Sequence, residues 1–263
     1  IVKVLGNMSI LAKQRWKMLG EILLNKNIAS SSNYEDISVM RFKTYHFYTK
    51  TLNYEEEDES IWCTVQFSIE PDLKLSIRLC STKIGYEDLI GFNNTGNTCI
   101  WPSEEILTYY CLKSKIVFRN KSVCEVGGDL SAIVEKNDDW LCPIESRILL
   151  WNRNTTDENL KERFDFVLSA DCFFFEELHH DFCHTVQYML KDEGVSINFA
   201  PKRAETLEKF LKIAKNYFDC DLYDYYDDCV WQKHIEAKST NENYSPDIHY
   251  PLLVVLRKKT KQI

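Results

Sequence analysis

From about residue 92 onward the chain alternates short apolar runs with stretches of helical periodicity, and this limits the fold more than any other feature. The runs at 122–126, 148–151, 164–170 and 195–200 have the length of buried strands. After the third run, Leu178, Phe182, Val186, Met189 and Leu190 fall on one face at helical spacing. After the fourth, Leu207, Phe210, Leu211, Ala214 and Phe218 do the same. A strand that is apolar along its whole length is covered on both faces, and a helical crossover returns the chain to run parallel to it. The alternation therefore predicts a parallel α/β sheet. Two closing strands, near 221–225 and 250–257, flank a polar insertion and are close enough to pair antiparallel.

The first ninety residues read differently. Trp16, Met18, Leu19, Ile22 and Leu23 predict an amphipathic helix over 12–25. The stretches 41–48, 63–69 and 73–79 alternate as strands do, and Glu70-Pro71-Asp72 reads as the hairpin turn between the last two. The acidic run 55–59 reads as a solvated loop. We therefore divide the chain into a helix plus β-rich lobe at 1–90 and a sheet domain at 91–263. Near the start of the second part, Asn94-Thr95-Gly96-Asn97 is turn-like, and Ser103-Glu104-Glu105 reads as the cap of a helix running to Leu112.

Charge and cysteine content narrow the function classes. The 263 residues carry 32 Lys+Arg against 40 Asp+Glu, a net charge of −8, which lacks the basic footprint of a nucleic-acid binder. No apolar run approaches the ~20 residues of a membrane span. The ten cysteines are widely spaced with no Cys-x-x-Cys pair, so free thiols in a reducing, intracellular compartment are expected.

In a parallel sheet the ligand side lies at the carboxyl ends of the strands. Gly127-Gly128 follows the run at 122–126, where absent side chains let a ligand approach the backbone; a plain turn uses the same residues. Asp171 follows the run ending at Ala170. It is placed either to hold a cationic substrate, with the aromatics beyond it, or to cap the next helix. His180 and His184 have the spacing of metal ligands, but no zinc-protease pattern surrounds them, and a surface or partly packed pair is the expected reading; no metal is assigned. Cys172 has no base near it in sequence to activate it as a nucleophile.

The run from Asn94 through Thr98-Cys99-Ile100-Trp101-Pro102-Ser103-Glu104-Glu105, with Tyr109-Tyr110-Cys111-Leu112, resembles the calmodulin-lysine N-methyltransferase family. That family belongs to the seven-strand S-adenosylmethionine-dependent class. Arg15-Trp16-Lys17, Cys124-Glu125-Val126-Gly127-Gly128, Ala170-Asp171-Cys172-Phe173-Phe174, Phe199-Ala200-Pro201-Lys202-Arg203 and His249-Tyr250-Pro251-Leu252-Leu253 carry the same resemblance, in order, over nearly the whole chain. It implies a Rossmann-like methyltransferase sheet and methyl transfer from S-adenosylmethionine to a lysine of calmodulin. It also implies a cytoplasmic location, with the nucleus second. By position, Trp101 borders the cofactor, Glu125, Gly127 and Gly128 form its main loop, Trp151 lies near the adenine, and Ala170 and Asp171 close the site. Phe174 takes the aromatic position after the Asp and lines the lysine channel with it. Lys202 and Arg203 are candidates for docking acidic calmodulin, or simply begin the following helix.

The chain departs from the family in one stretch. Asp129 stands where a third glycine is usual, and only 18 residues separate Gly128 from Arg147. Two parallel crossovers plus a strand need roughly 30. One βα unit is therefore expected to be missing, and with it the strand-end carboxylate for the ribose. Asp129, Glu135, Asp138 and Asp139 are the carboxylates within that span. Fewer than seven strands are predicted in the main sheet, with 129–146 as an irregular connection. A non-catalytic, protein-binding scaffold is the rival reading.

Overall fold

A computed structural model describes residues 44–53, 61–79, 100–127, 131–137, 142–154 and 157–259. The predicted helix at 12–25, the acidic run 55–59, the turn at 94–97 and Gly128 lie outside the described residues.

Strands β1 (Tyr48–Asn53), β2 (Ile61–Phe67) and β3 (Glu70–Leu79) form an antiparallel sheet in that order. Cys63, Val65 and Phe67 alternate along β2 and are buried on one face, the period-2 pattern of a half-covered strand. The hairpin turn is Ser68-Ile69, not Glu70-Pro71-Asp72, which lies inside β3 with Glu70 opposite Phe67. Pro71 is tolerated there because β3 is an edge strand of this sheet and its missing N–H removes no bond from the ladder.

The second sheet holds β4 (Val123–Glu125), β5 (Phe164–Ala170), β6 (Leu190–Ala200), β7 (Phe218–Tyr223) and β8 (Leu252–Lys258), in the spatial order β4-β5-β6-β8-β7. The first three run parallel, and β8 enters antiparallel between β6 and β7. This is the expected Rossmann-like arrangement, with the expected antiparallel closing pair, and it has five strands among the described residues. β4 stands at one edge. The carboxyl ends of β4, β5 and β6 lie side by side, since Glu125 pairs with Leu168 and Ala170 with Phe199.

Helices α1 (Pro102–Lys113), α4 (His179–Met189) and α5 (Thr206–Ala214) cover the sheet. Phe182, Val186 and Met189 of α4 and Leu207, Phe210 and Ala214 of α5 are buried, as their spacing requires. Leu190 and Phe218, read as helix-face residues, instead open β6 and β7. Phe173 stacks on Phe210 with ring centroids 3.5 Å apart, and Tyr110 of α1 meets Phe199 of β6 edge-on. The buried Glu105 of α1 accepts hydrogen bonds from Thr44 Oγ1 (2.8 Å) and the backbone N–H groups of Tyr45 (2.8 Å) and Phe47 (2.9 Å). These bonds fix residues 44–47 against the main core.

Three local expectations are corrected. Ser103 does not cap α1; Trp101 stands at the cap position, and Glu104 reaches back to accept its backbone N–H at 2.8 Å. Residues 148–151 alternate outward and inward, Ile148 68% and Leu150 43% exposed against Leu149 and Trp151 at 6%, yet they form no strand. Their periodicity is a strand's, but among the described residues no neighbouring segment completes a ladder with them. The polar insertion between β7 and β8 contains α6 (Asp228–Thr240), started by Asp227, whose side chain accepts from the N–H groups of Cys229 and Val230, and α7 (Pro246–His249).

Among the described residues between Gly127 and Arg147 there is one short helix, α3 (Ser131–Lys136), where the sequence predicts an irregular connection. A second short helix, α2 (Lys115–Phe118), follows α1. The eight cysteines among the described residues are all free thiols. Among the described residues no helix is long and apolar enough to cross a membrane.

Candidate active site

The carboxyl ends of β4 and β5 bring together most of the residues singled out in the sequence. β4 ends at Glu125 and turns at Gly127, whose φ of +122° is open to glycine and strained for any other residue. A Cβ added at Gly127 would lie 2.5 Å from Cys172 Sγ, so the glycine is also required for close passage of the two strand ends. Cys172 donates to the carbonyls of Val126 (3.3 Å) and Ala170 (3.5 Å), tying the turn after β4 to the turn after β5. Gly127→Ala should destabilise the fold by about 1–3 kcal/mol, combining backbone strain with a clash in a packed turn. Urea denaturation of the variant checks this; unchanged stability would mean that the turn relaxes freely.

Asp171 leaves β5 with φ +55°, a left-handed conformation that an Asp tolerates better than most residues. Its N–H donates to Phe199 O at 2.8 Å, which holds the turn against the end of β6. Its carboxylate forms a two-pronged ion pair with Arg203, Nε to Oδ1 at 3.2 Å and Nη2 to Oδ2. The guanidinium lies 5.9 Å from the centroid of Trp101 and 5.2 Å from that of Phe174. Arg203, read in the sequence as a docking or helix-start residue, thus belongs to the site. Of that pair, Lys202 is the exposed one.

Two further carboxylates border this cluster. Burial raises Glu125 from 4.5 to about 7, and its Oε2 is buried with no hydrogen-bond partner among the described residues. Burial also raises Glu104 to about 8; the Trp101 N–H opposes the rise, and the charges of Glu125 and Asp171 add to it. Cys172 is pushed well above the usual thiol range by burial and then by Glu125 and Asp171, which keeps it protonated. Glu104 escaped the sequence reading as a site residue, because a Trp three residues before it is not the Ser, Thr, Asp or Asn that signals a capping box, and only the structure shows it reaching back to the Trp101 N–H.

The remaining candidates lie at the margins or elsewhere. Ala170 closes β5 beside Phe199. Phe174 is 38% exposed and meets Phe175 edge-on. Trp151 is buried, its ring edge-on to Phe182 at 5.0 Å, so it faces α4 and the core. Glu135 lies in α3 and is exposed. His180 Nδ1 is 3.1 Å from the Tyr217 hydroxyl. Among the described residues no group of three or more His, Cys, Asp or Glu is placed to hold a metal ion.

Residues 125–217 match the family described as lysine methyltransferase. The segment opens on Glu125 and includes Asp171 and Arg203. The chain is also similar to a calmodulin-lysine N-methyltransferase of Arabidopsis thaliana, 28% identical over 289 aligned positions that cover 91% of this chain and 94% of that protein. The alignment is longer than the chain, so the plant protein has residues with no counterpart here. Among solved structures, a type 11 methyltransferase of Sulfolobus solfataricus aligns over 59% of this chain and 80% of its own, at 19% identity and a TM-score of 0.33. The PH0226 protein of Pyrococcus horikoshii aligns over 61% and 79%, at 13% and 0.33. At those scores the two add nothing to the fold assignment, which rests on the sheet itself. Residues 125–217 thus match the lysine methyltransferase family, and the chain is similar to a calmodulin-lysine N-methyltransferase along most of its length.

Proposed function

We propose that the chain is a protein-lysine N-methyltransferase that takes S-adenosylmethionine as methyl donor and a lysine of calmodulin as acceptor. The observation that carries this reading is the unmatched Glu125 Oε2, buried at the end of β4 beside a glycine turn and within the same cluster as Asp171. A buried acceptor without a donor is costly, and a ligand bearing ammonium or hydroxyl groups supplies the missing donor. Those groups are present on S-adenosylmethionine, so the residues fit it. Trp101, Glu125, Gly127, Gly128 and Ala170 would hold it, with Trp151 supporting the adenine side from within the core. When bound, it supplies a methyl group on a sulfonium centre that an amine can displace.

The protein's own residues then have three tasks. They orient the amine, exclude water and keep the amine unprotonated. Orientation alone supplies much of the rate in a displacement with no covalent enzyme intermediate. Burial disfavours an ammonium and lowers a lysine's pKa, so the incoming group sheds its proton on entering the channel. Asp171 would receive the cationic end before that step, and Phe174 with Trp101 would line its path. The site is acidic and so is the chain, so docking of acidic calmodulin would rely on local basic groups such as Lys202 rather than net charge.

One observation favours the scaffold alternative. β4 is an edge strand, and residues 148–151 lie outside the sheet among the described residues, so the side of the pocket beyond β4 lacks a strand. Transfer of tritiated methyl from S-adenosylmethionine to calmodulin separates the two readings. Label on calmodulin lysine supports the enzyme, and no label at any cofactor concentration supports the scaffold.

A further inference from the structure

We infer that Arg203 is a built-in cation occupying the seat meant for the substrate lysine, so that the site is self-blocked until the 201–205 turn swings away. The inference rests on the reading of Asp171 as the lysine-facing carboxylate. A seat for an alkylammonium needs a carboxylate and aromatic faces in a partly dry place. Arg203 has all of these: both guanidinium prongs on Asp171, Trp101 at 5.9 Å and Phe174 at 5.2 Å. The side chains of Arg203 and Asp171 are 17% and 14% exposed, which leaves little room for a second cation on the same carboxylate.

The turn that delivers Arg203 is held in a conformation its residues resist. Arg203 and Ala204 are consecutive non-glycine residues with φ of +45° and +56°. They are kept there from outside, Arg203 N–H donating to Asp247 O (2.8 Å) and Ala204 N–H to Asp247 Oδ2 (2.9 Å) of α7. Strain of this kind persists only where surrounding contacts impose it, and it clusters in elements with an alternative state. Loss of the Asp247 contacts would free the turn and vacate the seat. The incoming lysine then exchanges one cation for another on Asp171, with no change in the charge of the cluster.

The test is binding of N-acetyl-lysine methylamide, followed by the NMR shift of the Trp101 indole in the full chain. It needs no methyl transfer, so it can succeed even if the chain proves inactive. If the seat is free about one tenth of the time, Arg203→Ala should bind the probe about tenfold more tightly than the native chain. Arg203→Met, which keeps the aliphatic stem, should show the same gain, and adding Asp171→Asn to either should abolish it. Equal binding by native and variant chains, a gain that survives Asp171→Asn, or no binding by either Arg203 variant would overturn the inference. So would failure of both variants to fold, because a side chain that leaves its seat in use cannot be indispensable to folding.

Discussion

Asp171→Ala should lower methyl transfer by about a hundredfold or more, the range for losing a group that positions and receives a proton-bearing substrate. The same substitution should destabilise the chain by about 2–3 kcal/mol. It leaves the Arg203 guanidinium, 17% exposed, with its aromatic neighbours but without its carboxylate. Breaking a fully buried pair costs about 3–5 kcal/mol, and partial access to water accounts for the smaller figure here. Asp181→Ala is the internal control. Its partner Arg153 is 66% exposed, and such a pair contributes about 0–1 kcal/mol. Asp181 lies in the first turn of α4, paired with Arg153 rather than with a residue of the Asp171 cluster. Rates and urea midpoints of the two variants decide the matter; equal losses would remove Asp171 from its assigned place.

Glu125→Gln should flatten the pH dependence of stability between about pH 4.5 and 8. In the folded chain Glu125 is raised to about 7 and Glu104 to about 8, both chiefly by burial, while in the unfolded chain both titrate near 4.5. Below pH 4.5 both are protonated in either state, and the contribution to stability is fully present. As pH rises from 4.5 through 7 to 8 the unfolded chain releases protons that the folded chain still holds, so native stability declines across that window, by a few kcal/mol in order of magnitude. Glutamine at 125 has no proton to release and removes one of the charges that raise Glu104. The variant should match the native chain within ~1 kcal/mol at pH 5 and exceed it by about 2–3 kcal/mol at pH 8. Urea denaturation at the two pH values measures this. Parallel profiles would show that Glu125 is not desolvated.

The main sheet was legible because the runs at 164–170 and 195–200 are largely apolar and the helices after them one-sided. Phe164–Ala170 appears in the structure with the bounds its sequence suggests. Residues 148–151 show where that logic stops. Alternation of Ile148, Leu149, Leu150 and Trp151 specifies which side chains turn inward, but a strand also needs a partner ladder, and pairing is a property of the rest of the chain. The hairpin turn moved by two residues because an edge strand accepts Pro71, and only the register reveals that β3 is at an edge. Asp171 and Glu125 could be placed on the ligand side by counting strand ends. Arg203 could not, because its direction depends on two left-handed residues fixed by Asp247, more than forty positions away. α6 was hidden by its polarity, since Val230 and His234 are its only buried residues.

Under the proposed function the chain is a lysine methyltransferase whose cofactor site has no strand beyond β4 among the described residues. The direct measurement is the initial rate of labelled methyl transfer to calmodulin as a function of S-adenosylmethionine concentration. Loss of one charge-assisted hydrogen bond to the ribose costs about 1.5–3 kcal/mol, which weakens cofactor binding roughly tenfold to a hundredfold. Label on a calmodulin lysine is expected, at a rate that keeps rising past ~100 μM cofactor. Saturation at low micromolar cofactor would contradict the missing strand, and absence of label on lysine at every concentration would contradict the activity itself.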